Sequence, residues 1–301
     1  MNYIIDTDGG IDDIFALAYA FDKKRNNIKA ITTTIGNIEV EQAIFNVRFF
    51  LDLFNINFEN IFIGASHSLT PFIVERAEKI HGLDGFANIV GRYNKSKIDS
   101  YYAKPSAPHY IIKCAKELKE ELTIITLGPL TNIAISYVLD PYSMGSINKI
   151  VSMGGAIYSK GNYNGYAEFN VGYDPNAFYI ILKSGIPLEL VSLDITRKIS
   201  LSSEDFCLGS KNIFYEAAKF YEKKTKGSLY LHDPLAVYLT FSNNKYTKKL
   251  DIDIELFDKN KRGLITQAIS SMKNSSIIYH YDANFNEFRE KLINSIKNYL
   301  S

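Results

Sequence analysis

The sequence of 301 residues contains no tryptophan and only two cysteines, Cys114 and Cys207. These cysteines lie far apart and form no CxxC motif, so the simplest interpretation is two unpaired thiols in a reducing compartment. The chain also contains 21 tyrosines and 19 phenylalanines. An aromatic pocket in this protein would therefore be built from tyrosine and phenylalanine.

The sequence also lacks an excess of charge of either sign. Lysine and arginine together number 34 and aspartate and glutamate 33, which gives a net charge of +1. This balance argues against nucleic-acid binding by a basic surface. No apolar stretch is long enough to cross a bilayer, and Asp6 and Asp8 interrupt the apolar start too early for a signal peptide. We therefore expect a cytoplasmic protein with no nucleic-acid or membrane partner.

Short β-branched runs alternate with longer helical patterns through the first two thirds of the chain. The predicted strands are residues 2–8, 28–34, 60–63, 122–127, 149–153 and 187–191. The predicted helices between them are residues 12–21, 40–54, 107–120, 130–139 and 175–183. Alternation of this kind predicts right-handed crossovers and an α/β fold with a mostly parallel central sheet flanked by helices.

The last third of the sequence is less regular. We predict helices at residues 206–224, 234–241 and 284–300, and a β pair formed by residues 250–256 and 264–270. No repeat, low-complexity tract or linker interrupts the chain. The sequence therefore predicts a single domain over residues 1–301.

Aspartates crowd the opening stretch MNYIIDTDGGIDDIFAL, at positions 6, 8, 12 and 13. Side chains alternate along a strand, so Asp6 and Asp8 share a face, and a Gly-Gly pair then permits a tight turn. Asp12 and Asp13 follow in the first turn of a helix, where the helix dipole favours anions. Because like charges at close range repel, this crowding predicts a cation held by oxygen ligands. The alternative is that Asp12 only caps the helix and the others are solvated.

Polar or functional positions also follow several of the predicted strands. Asp8, Asn37, Leu127 and Met153 all lie at or just past a strand end. Ligands of open parallel sheets bind beyond the carboxyl ends of the strands. We therefore expect these separate segments to converge on one edge of the sheet.

One alternative enzyme interpretation begins from the same aspartates. IIDTDGG resembles the DxD start of haloacid-dehalogenase-like phosphatases, in which Asp6 would be a nucleophile and Asp8 an acid. That fold also needs a downstream lysine and a late acidic pair at a strand end. The late motif LHDP at residues 231–234 supplies a single acid.

A larger set of motifs resembles the inosine-uridine-preferring nucleoside hydrolase family. The set comprises DTDGGIDD at 6–13, TIGN at 34–37, HGLDG at 81–85, TLGPLTNIA at 126–134, GNYNGYAEFNVGYDP at 161–175 and HDPLAV at 232–237. Each motif is weak alone, but their order and spacing together are specific. The resemblance implies a Rossmann-like fold and Ca²⁺-dependent hydrolysis of the N-glycosidic bond of purine or pyrimidine ribonucleosides. It also implies a role in nucleoside salvage and a homo-oligomer, either a tetramer or a dimer.

The resemblance assigns the metal and the chemistry to a few residues. The Ca²⁺ ligands would be Asp8, Asp13, the backbone carbonyl of Leu127, and Asp233. Asp8 would also be the general base that activates a calcium-bound water. His232 would assist departure of the base, as in the group of the family that carries the HD motif. Histidine has an ordinary pKa near neutrality, so His232 could donate a proton to the leaving base.

The resemblance also assigns the substrate contacts. These would be made by Asp12, Asn37, His81, Met153, Asn162, Glu168, Phe169 and Asn170. His81 matches a loop histidine linked to base recognition in pyrimidine-preferring members. Two features depart from the family pattern, because Gly9 replaces the proline of the usual DTDPG and the chain has no tryptophan to sandwich a purine base.

The residue types suit this chemistry independently of the resemblance. Ca²⁺ accepts about six to eight oxygen ligands, so carboxylates and one carbonyl leave room for water and ribose hydroxyls. A surplus of negative charge around the metal favours the oxocarbenium-like sugar of glycosidic cleavage. A non-catalytic protein that binds a nucleoside or ribose on the same scaffold remains an alternative.

Overall fold

The computed structural model describes residues 1–71, 76–92, 95–208, 212–268 and 276–300. Within these residues, the strands form one nine-stranded sheet in the order β3-β2-β1-β4-β5-β6-β9-β7-β8. The strands are β1 Asn2–Thr7, β2 Ile28–Thr33, β3 Ile61–Ile63, β4 Leu122–Thr126, β5 Lys149–Met153, β6 Leu188–Val191, β7 Thr247–Ile254, β8 Ile265–Gln267 and β9 Ser276–His280.

The helices alternate with the strands and account for most of the remaining described residues. They are α1 Ile11–Lys24, α2 Val40–Leu53, α3 Glu78–His81, α4 Lys95–Tyr102, α5 Ala107–Leu118, α6 Thr131–Leu139, α7 Pro141–Met144, α8 Phe169–Tyr173, α9 Pro175–Lys183, α10 Leu193–Thr196, α11 Ile213–Lys224, α12 His232–Ser242 and α13 Phe285–Leu300. Among the described helices, none combines the length and the apolar character that a bilayer crossing requires.

The sheet is mostly parallel, as the sequence predicts. The strands pair in parallel from β3 through β2, β1, β4, β5 and β6 to β9. Only β7 runs the other way, antiparallel to both β8 and β9. The order 3-2-1-4-5-6 is that of a Rossmann-type sheet. The predicted α/β fold with helices flanking a central sheet is therefore confirmed.

Side chains of neighbouring strand positions enter two separate apolar cores. Ile5 of β1 packs into the core shared with α1, α2, α11, α12 and α13, which includes Phe15 and Phe50. Ile4 packs into the core on the other face of the sheet, with α5, α6 and α9, which includes Phe178. A sheet covered on both faces explains why its strands read as nearly continuous apolar runs.

The structure differs from the predicted elements mainly in short segments. Helix α11 begins at Ile213, whereas residues 203–206 form a separate 3₁₀ turn. The predicted helix at 206–224 and the predicted strand at 264–270 also include residues 209–211, 269 and 270, which lie outside the described residues. Helices such as α7 and α8 were not predicted, because each is one turn fixed by a cap, Asp140 and Glu168 respectively, rather than by an apolar period.

The position of β1 determines where a ligand site can form. After β1 the chain continues through β2 and β3 on one side, and it later adds β4, β5 and β6 on the other side. This reversal creates a crevice outside the carboxyl ends of the strands, where ligands of such folds bind. Asp8, Asn37, Leu127 and Met153 lie at these ends, as the sequence predicts.

Candidate active site

A cavity of about 780 Å³ opens beyond the carboxyl ends of the central strands. Most of the predicted site residues line it, namely Asp12, Asn37, His81, Leu127, Met153, Asn162, Glu168, Phe169, Asn170, His232 and Asp233. Asp8 and Asp13 are fully buried next to these lining residues. The structure therefore brings together all the residues that the sequence assigned to one site.

The loop between β1 and α1 is built around Asp13. Its carboxylate accepts hydrogen bonds from the Thr7 hydroxyl, from the backbone N–H of Asp8 at 3.2 Å and from that of Gly10 at 2.9 Å. Gly9 adopts a φ of 73°, a conformation that proline cannot reach because its ring fixes φ near −65°. The glycine at this position therefore allows a turn that the usual family motif could not form in the same way.

The carboxylate of Asp8 is oriented by the loop that follows β2. Its two oxygens accept hydrogen bonds from the backbone N–H of Asn37 at 2.8 Å and from the Asn37 side-chain amide at 2.9 Å. A Cβ atom on Gly36 would overlap the carboxylate of Asp8. Glycine at this position lets the backbone approach Asp8 closely. The loop after β2 therefore fixes the direction of the Asp8 side chain, which follows β1.

Helix α12 completes the acidic cluster from the far end of the chain. It packs against α1 and carries Asp233 in its first turn. Ligand oxygens of Asp12, Asp13 and Asp233 all lie within 4.8 Å of one another, and all of these residues are buried. Asp13 also contacts the carboxyl groups of both Asp8 and Asp233. The cluster thus joins the first strand to a late helix.

Burial and mutual repulsion perturb these carboxyl groups strongly. Burial raises the pKa of Asp12 to about 8, and the charge of Asp13 is the next cause. Burial also raises the pKa of Asp8, with Asp13 again the next cause. The pKa of Asp233 is raised by burial and then by Asp12, Asp13 and Asp8. Each shift reports the cost of placing several negative charges together out of water.

The donor set of this cluster fits a divalent cation. One oxygen of Asp12, Oδ1, is buried and has no hydrogen-bond partner among the described residues. Carboxylate oxygens in close proximity, one of them without a partner, are the hard ligands that Mg²⁺ and Ca²⁺ prefer. A cation would also relieve the repulsion that raises the pKa values of these acids. The buried aspartates can therefore hold a metal ion.

Asp6 does not belong to this cluster. Its Oδ1 accepts hydrogen bonds from the Thr32 hydroxyl at 2.5 Å and from the Asn132 side-chain amide at 2.7 Å. Burial raises its pKa to about 7. The Asp6 Oδ1 is bonded to side chains of β2 and α6 inside the sheet rather than to the loops that form the cavity, so Asp6 is poorly placed to act as a nucleophile. This position counts against the phosphatase alternative, which requires that role.

The GPLTN segment is more than a turn and a helix start. Residue Leu130 is the N-cap of α6, so neither Thr131 nor Asn132 caps this helix. Asn132 instead donates to Asp6 and to the Thr33 carbonyl at 2.9 Å, and it accepts from the backbone N–H of Ala65 at 2.8 Å. One buried side chain therefore ties β1 to the ends of β2 and β3.

Glu168 and Asn170 form part of the polar side of the cavity. Glu168 caps α8, and its carboxylate accepts from the backbone N–H of Asn170 at 3.0 Å and from that of Gly155 at 3.0 Å. Asn170 donates to the carbonyl oxygens of Leu127 at 2.6 Å and Met153 at 3.1 Å. These contacts connect the GNYNGYAEFN segment to the ends of β4 and β5.

The remaining residues of this segment extend the cavity wall. The Asn162 side chain accepts from the backbone N–H of Phe169 at 2.8 Å. The Phe169 ring lies 6.1 Å from that of Tyr163, centroid to centroid, and 5.5 Å from that of Tyr173. The segment is therefore an ordered wall rather than an ordinary surface loop.

His81 enters the cavity from α3 and bonds to the start of α1. Its Nδ1 accepts from the backbone N–H of Ile11 at 3.0 Å. Burial lowers the pKa of His81 to about 4, so the ring is neutral at neutral pH. A neutral ring whose Nδ1 accepts must carry its hydrogen on Nε2. His81 therefore has one N–H group left to donate, and its ring meets that of Tyr221 edge to face at 5.7 Å.

His232 lies at the first position of α12, beside Asp233. Its Nδ1 is 2.7 Å from the Thr196 hydroxyl, and its ring stacks on that of Tyr230 at 6.1 Å. Burial, followed by the charges of Arg197 and His81, lowers the pKa of His232 to about 3. The ring is therefore neutral at neutral pH, and its pKa lies below the ordinary value from which the role of proton donor was argued.

Comparison with known proteins identifies the family of this chain. Residues 3–289 match the family described as inosine-uridine preferring nucleoside hydrolase. The chain belongs to this family. Its members are hydrolases of ribonucleosides, so the predicted family and the predicted enzyme class, an N-ribohydrolase, are confirmed.

Three similar proteins illustrate this nucleoside hydrolase family. Uridine nucleosidase 1 of Arabidopsis thaliana is 31% identical over 258 residues, which cover 82% of this chain and 75% of that protein. The inosine-uridine preferring nucleoside hydrolase of Leishmania major is 30% identical over 84% of this chain and 83% of its own. A solved purine-preferring ribonucleoside hydrolase of Gardnerella vaginalis superposes with a TM-score of 0.84, at 25% identity, over 99% of both chains.

Several residues that line the cavity of this nucleoside hydrolase were not predicted from the sequence. They are Arg76, Ala77, Lys79, Ile80, Tyr163, Asn164, Arg197, Tyr221, Thr225, Tyr230, Lys259 and Arg262. Tyr163 and Asn164 lie inside the GNYNGYAEFN motif, so the motif itself could have revealed them. The others come from segments outside the quoted motifs, and no spacing in the sequence connects them to the cavity.

Proposed function

We propose that this protein is a Ca²⁺-dependent ribonucleoside hydrolase. It would cleave the N-glycosidic bond of purine or pyrimidine ribonucleosides to give the free base and ribose. The observation that carries the proposal is the buried cluster of Asp12, Asp13 and Asp233 at the cavity. Membership of the nucleoside hydrolase family supports it.

The metal ligands we propose are Asp8, Asp13, Asp233 and the carbonyl of Leu127. All are oxygen donors, which suits Ca²⁺ and its tolerance of irregular coordination. When bound, the ion would lower the pKa of a water molecule and help to hold the ribose hydroxyls. The unpartnered oxygen of Asp12 supports a cation in this region.

Asp8 is the proposed general base. It takes a proton from the attacking water, whose oxygen forms a bond to C1′ of the ribose. The bond from C1′ to the base nitrogen breaks, and its electron pair leaves with the base. Positive charge develops on the sugar in this step. The surrounding carboxylates of Asp12, Asp13 and Asp233 stabilise that charge without needing to reorient.

The polar wall of the cavity would bind the ribose. We assign the hydroxyl contacts to Asp12, Asn37, Asn162, Glu168 and Asn170. Glu168 and Asn170 are already fixed by hydrogen bonds to the backbone, so little side-chain entropy is lost on binding. Met153 and Phe169 would contact the apolar faces of the substrate.

The two histidines would contact the base. His81 has its Nε2–H available, since its Nδ1 already accepts from Ile11. We propose that the Thr196 hydroxyl donates to Nδ1 of His232, which places a hydrogen on Nε2 of that ring as well. As a neutral ring, His232 would assist the leaving base by donating a hydrogen bond rather than by delivering a surplus proton.

A direct assay tests the proposed function. The purified protein is incubated with uridine, cytidine, inosine or adenosine, with Ca²⁺ and after chelation, and the released base is separated by chromatography. We expect base release from at least one nucleoside, and we expect chelation to abolish it. Binding without release would favour the non-catalytic alternative. Phosphate release from phosphomonoesters with Mg²⁺ would favour the phosphatase.

The wider predictions accompany this proposal. The sheet runs from Asn2 to His280, which supports a single domain over residues 1–301. A cytoplasmic location, a role in salvage and a homo-oligomer, either a tetramer or a dimer, remain predictions. Light scattering on the purified protein measures the oligomeric state directly.

A further inference from the structure

We propose that Arg197 contacts the leaving base and stabilises the negative charge that it acquires as the glycosidic bond breaks. This inference rests on the proposed function and assigns a role within the same cavity. It adds a residue that no motif of the sequence indicates.

The turn that carries Arg197 is firmly anchored. Helix α10 follows β6, and the Asp194 carboxylate accepts the backbone N–H groups of Ile157 at 3.0 Å, Tyr158 at 3.0 Å and Ser159 at 2.7 Å. The Arg197 Nη1 then donates to the carbonyl of Lys160 at 2.5 Å. One nitrogen of the guanidinium, Nη1, is thus fixed by a hydrogen bond. The other N–H groups have no hydrogen-bond partner among the described residues and can donate to a ligand.

Arg197 lies at the histidine end of the cavity. Its neighbour in sequence, Thr196, contacts the Nδ1 of His232 at 2.7 Å. Arg197 itself lines the cavity together with His232, Tyr221 and Tyr230. If the base rests on these aromatic side chains, Arg197 lies beside the base rather than beside the sugar.

The charge of Arg197 reaches a neighbouring ring. Burial raises the pKa of Tyr221, and Asp12 and Asp233 raise it further, whereas Arg197 lowers it. The guanidinium therefore lies close enough to the Tyr221 ring to act on it electrostatically.

No carboxylate within the described part of the chain forms an ion pair with Arg197. By contrast, Arg76, another cation of the cavity wall, pairs with Glu39 at 2.7 Å. Arg197 therefore brings a fixed positive charge to the His232 side of a cavity that also contains the Asp12, Asp13 and Asp233 cluster. In glycosidic cleavage the sugar becomes positive and the base negative. A cation already fixed beside the base stabilises the charge that develops on it.

The atoms and electrons of the step balance. The bond from C1′ to the base nitrogen breaks, and both its electrons remain on the base. The water oxygen bonds to C1′, and the proton that this water loses goes to Asp8. The base anion, held against Arg197, then takes a proton from solvent, and Asp8 returns its proton to solvent. One water molecule is consumed for each nucleoside.

The test compares two substrates that differ in their leaving groups. Uridine must expel a poor leaving group, whereas p-nitrophenyl β-D-ribofuranoside expels an anion that is stable in water. For Arg197→Met we expect kcat/KM to fall about 100-fold or more with uridine, the size typical of losing one transition-state donor. With the nitrophenyl riboside we expect a much smaller loss. Arg197→Lys, which keeps the charge but not the fork, should give an intermediate loss with uridine.

A matched control and a fold check complete the design. Arg76→Met removes a cavity-wall arginine that is already paired, so it should change both substrates by a similar factor. Circular dichroism of the Arg197 variants checks that they fold. If Arg197→Met does not fold, Arg197→Lys replaces it in the comparison of the two substrates. Equal losses with both substrates in a folded Arg197 variant would overturn the inference. A wild-type protein that cleaves neither substrate would instead refute the proposed function.

Discussion

Asp6 and Asp8 stand two positions apart and have different environments. Asp6 is bonded to Thr32 and Asn132 between the strands, whereas both oxygens of Asp8 are held by Asn37. Both are fully buried. Two aspartates, one in β1 and one directly after it, thus have a structural and a proposed catalytic role, and the difference comes from partners that are distant in sequence.

This division leads to a prediction for Asp8. Asp8→Asn keeps the size of the side chain and its bond to the Asn37 backbone, but it can no longer take a proton from water. We expect nucleoside affinity to change little and kcat to fall by about 10²- to 10⁴-fold, the usual contribution of a general base. Isothermal titration measures the affinity, and base release measures kcat.

Asp6→Asn is the matched control for that prediction. Its Oδ1 can still accept from Thr32 and Asn132, so we expect turnover to stay within about tenfold of wild type, since a well-placed amide preserves these bonds. Unchanged turnover in Asp8→Asn would remove Asp8 from the role of base. Phosphate release from phosphomonoesters that is lost in Asp6→Asn would revive the phosphatase interpretation.

For single residues, the sequence predicted which residues form the site better than it predicted their protonation states. The acids, Asn37, Glu168 and Asn170 gather at or beside the cavity, and each belongs to a recognisable motif of the sequence. The protonation of His232 was not predictable, since its pKa depends on burial and on Arg197, which lies outside the quoted motifs. Side chains that converge only through the tertiary fold leave no local pattern.

Among the secondary-structure elements, the start of α6 connects β1 to the ends of β2 and β3, and no local sequence pattern predicts this. The Asn132 side chain bonds to Asp6 of β1, to the end of β2 and to the loop after β3. Ser136, one turn later in the same helix, makes a simpler contact, donating to the Asn132 carbonyl at 2.7 Å. These two buried residues therefore offer a graded test of how strand ends are held together.

We expect Asn132→Leu to lower the free energy of unfolding by about 3 kcal/mol. The change removes several hydrogen bonds, leaves the buried Asp6 carboxylate without one donor and the part-buried Ala65 amide without its partner, and each such loss costs about 1–3 kcal/mol. Ser136→Ala removes one hydroxyl, which lies within hydrogen-bond distance of the Asn132 and Pro108 carbonyls, and should cost about 1 kcal/mol. Urea unfolding followed by circular dichroism measures both. An Asn132→Leu protein as stable as the Ser136→Ala protein would contradict the assigned role.

The regular elements were predictable because an apolar period and a cap mark them. Helix α9 and strand β5 have the bounds that the sequence predicts, with Asp174 capping α9. Strand β9 was not predicted, although it joins the antiparallel pair β7 and β8 to the main sheet. Its place between β6 and β7 is decided by pairing between distant segments, which no local window contains.

For the whole molecule, the acidic cluster couples stability to pH. In the metal-free protein the pKa of Asp6 is raised to about 7 and that of Asp12 to about 8, from 3.8 in each case. The folded state therefore binds protons more tightly than the unfolded state at these groups. Their contribution to stability is full below pH 3.8 and is lost as the pH rises through 7 and 8.

The histidines act in the opposite sense but in a lower range. The pKa values of His81 and His232 fall from 6.5 to about 4 and about 3, so these rings are neutral in both states above pH 6.5. Between pH 6.5 and 8 we therefore expect the metal-free protein to lose stability as the pH rises. Thermal unfolding in the presence of a chelator, recorded across this range, measures the effect.

Calcium provides the control for this pH dependence. The ion requires ionised carboxylates, so its binding strengthens as the pH rises. A Ca²⁺ concentration of about 100 times Kd stabilises the folded state by about 2.7 kcal/mol. With Ca²⁺ present, the loss of folding stability between pH 6.5 and 8 should therefore become smaller or turn into a gain. A melting temperature that changes with neither pH nor Ca²⁺ would contradict the proposed metal site.

The acids of the cluster come from α1 and from α12, which are far apart in the sequence. During synthesis the amino-terminal acids leave the ribosome long before Asp233 is made, and domains begin to fold from that end. A growing chain therefore cannot hydrolyse nucleosides before most of it has been translated. Catalytic competence would be acquired in a single late step, when α12 docks on α1.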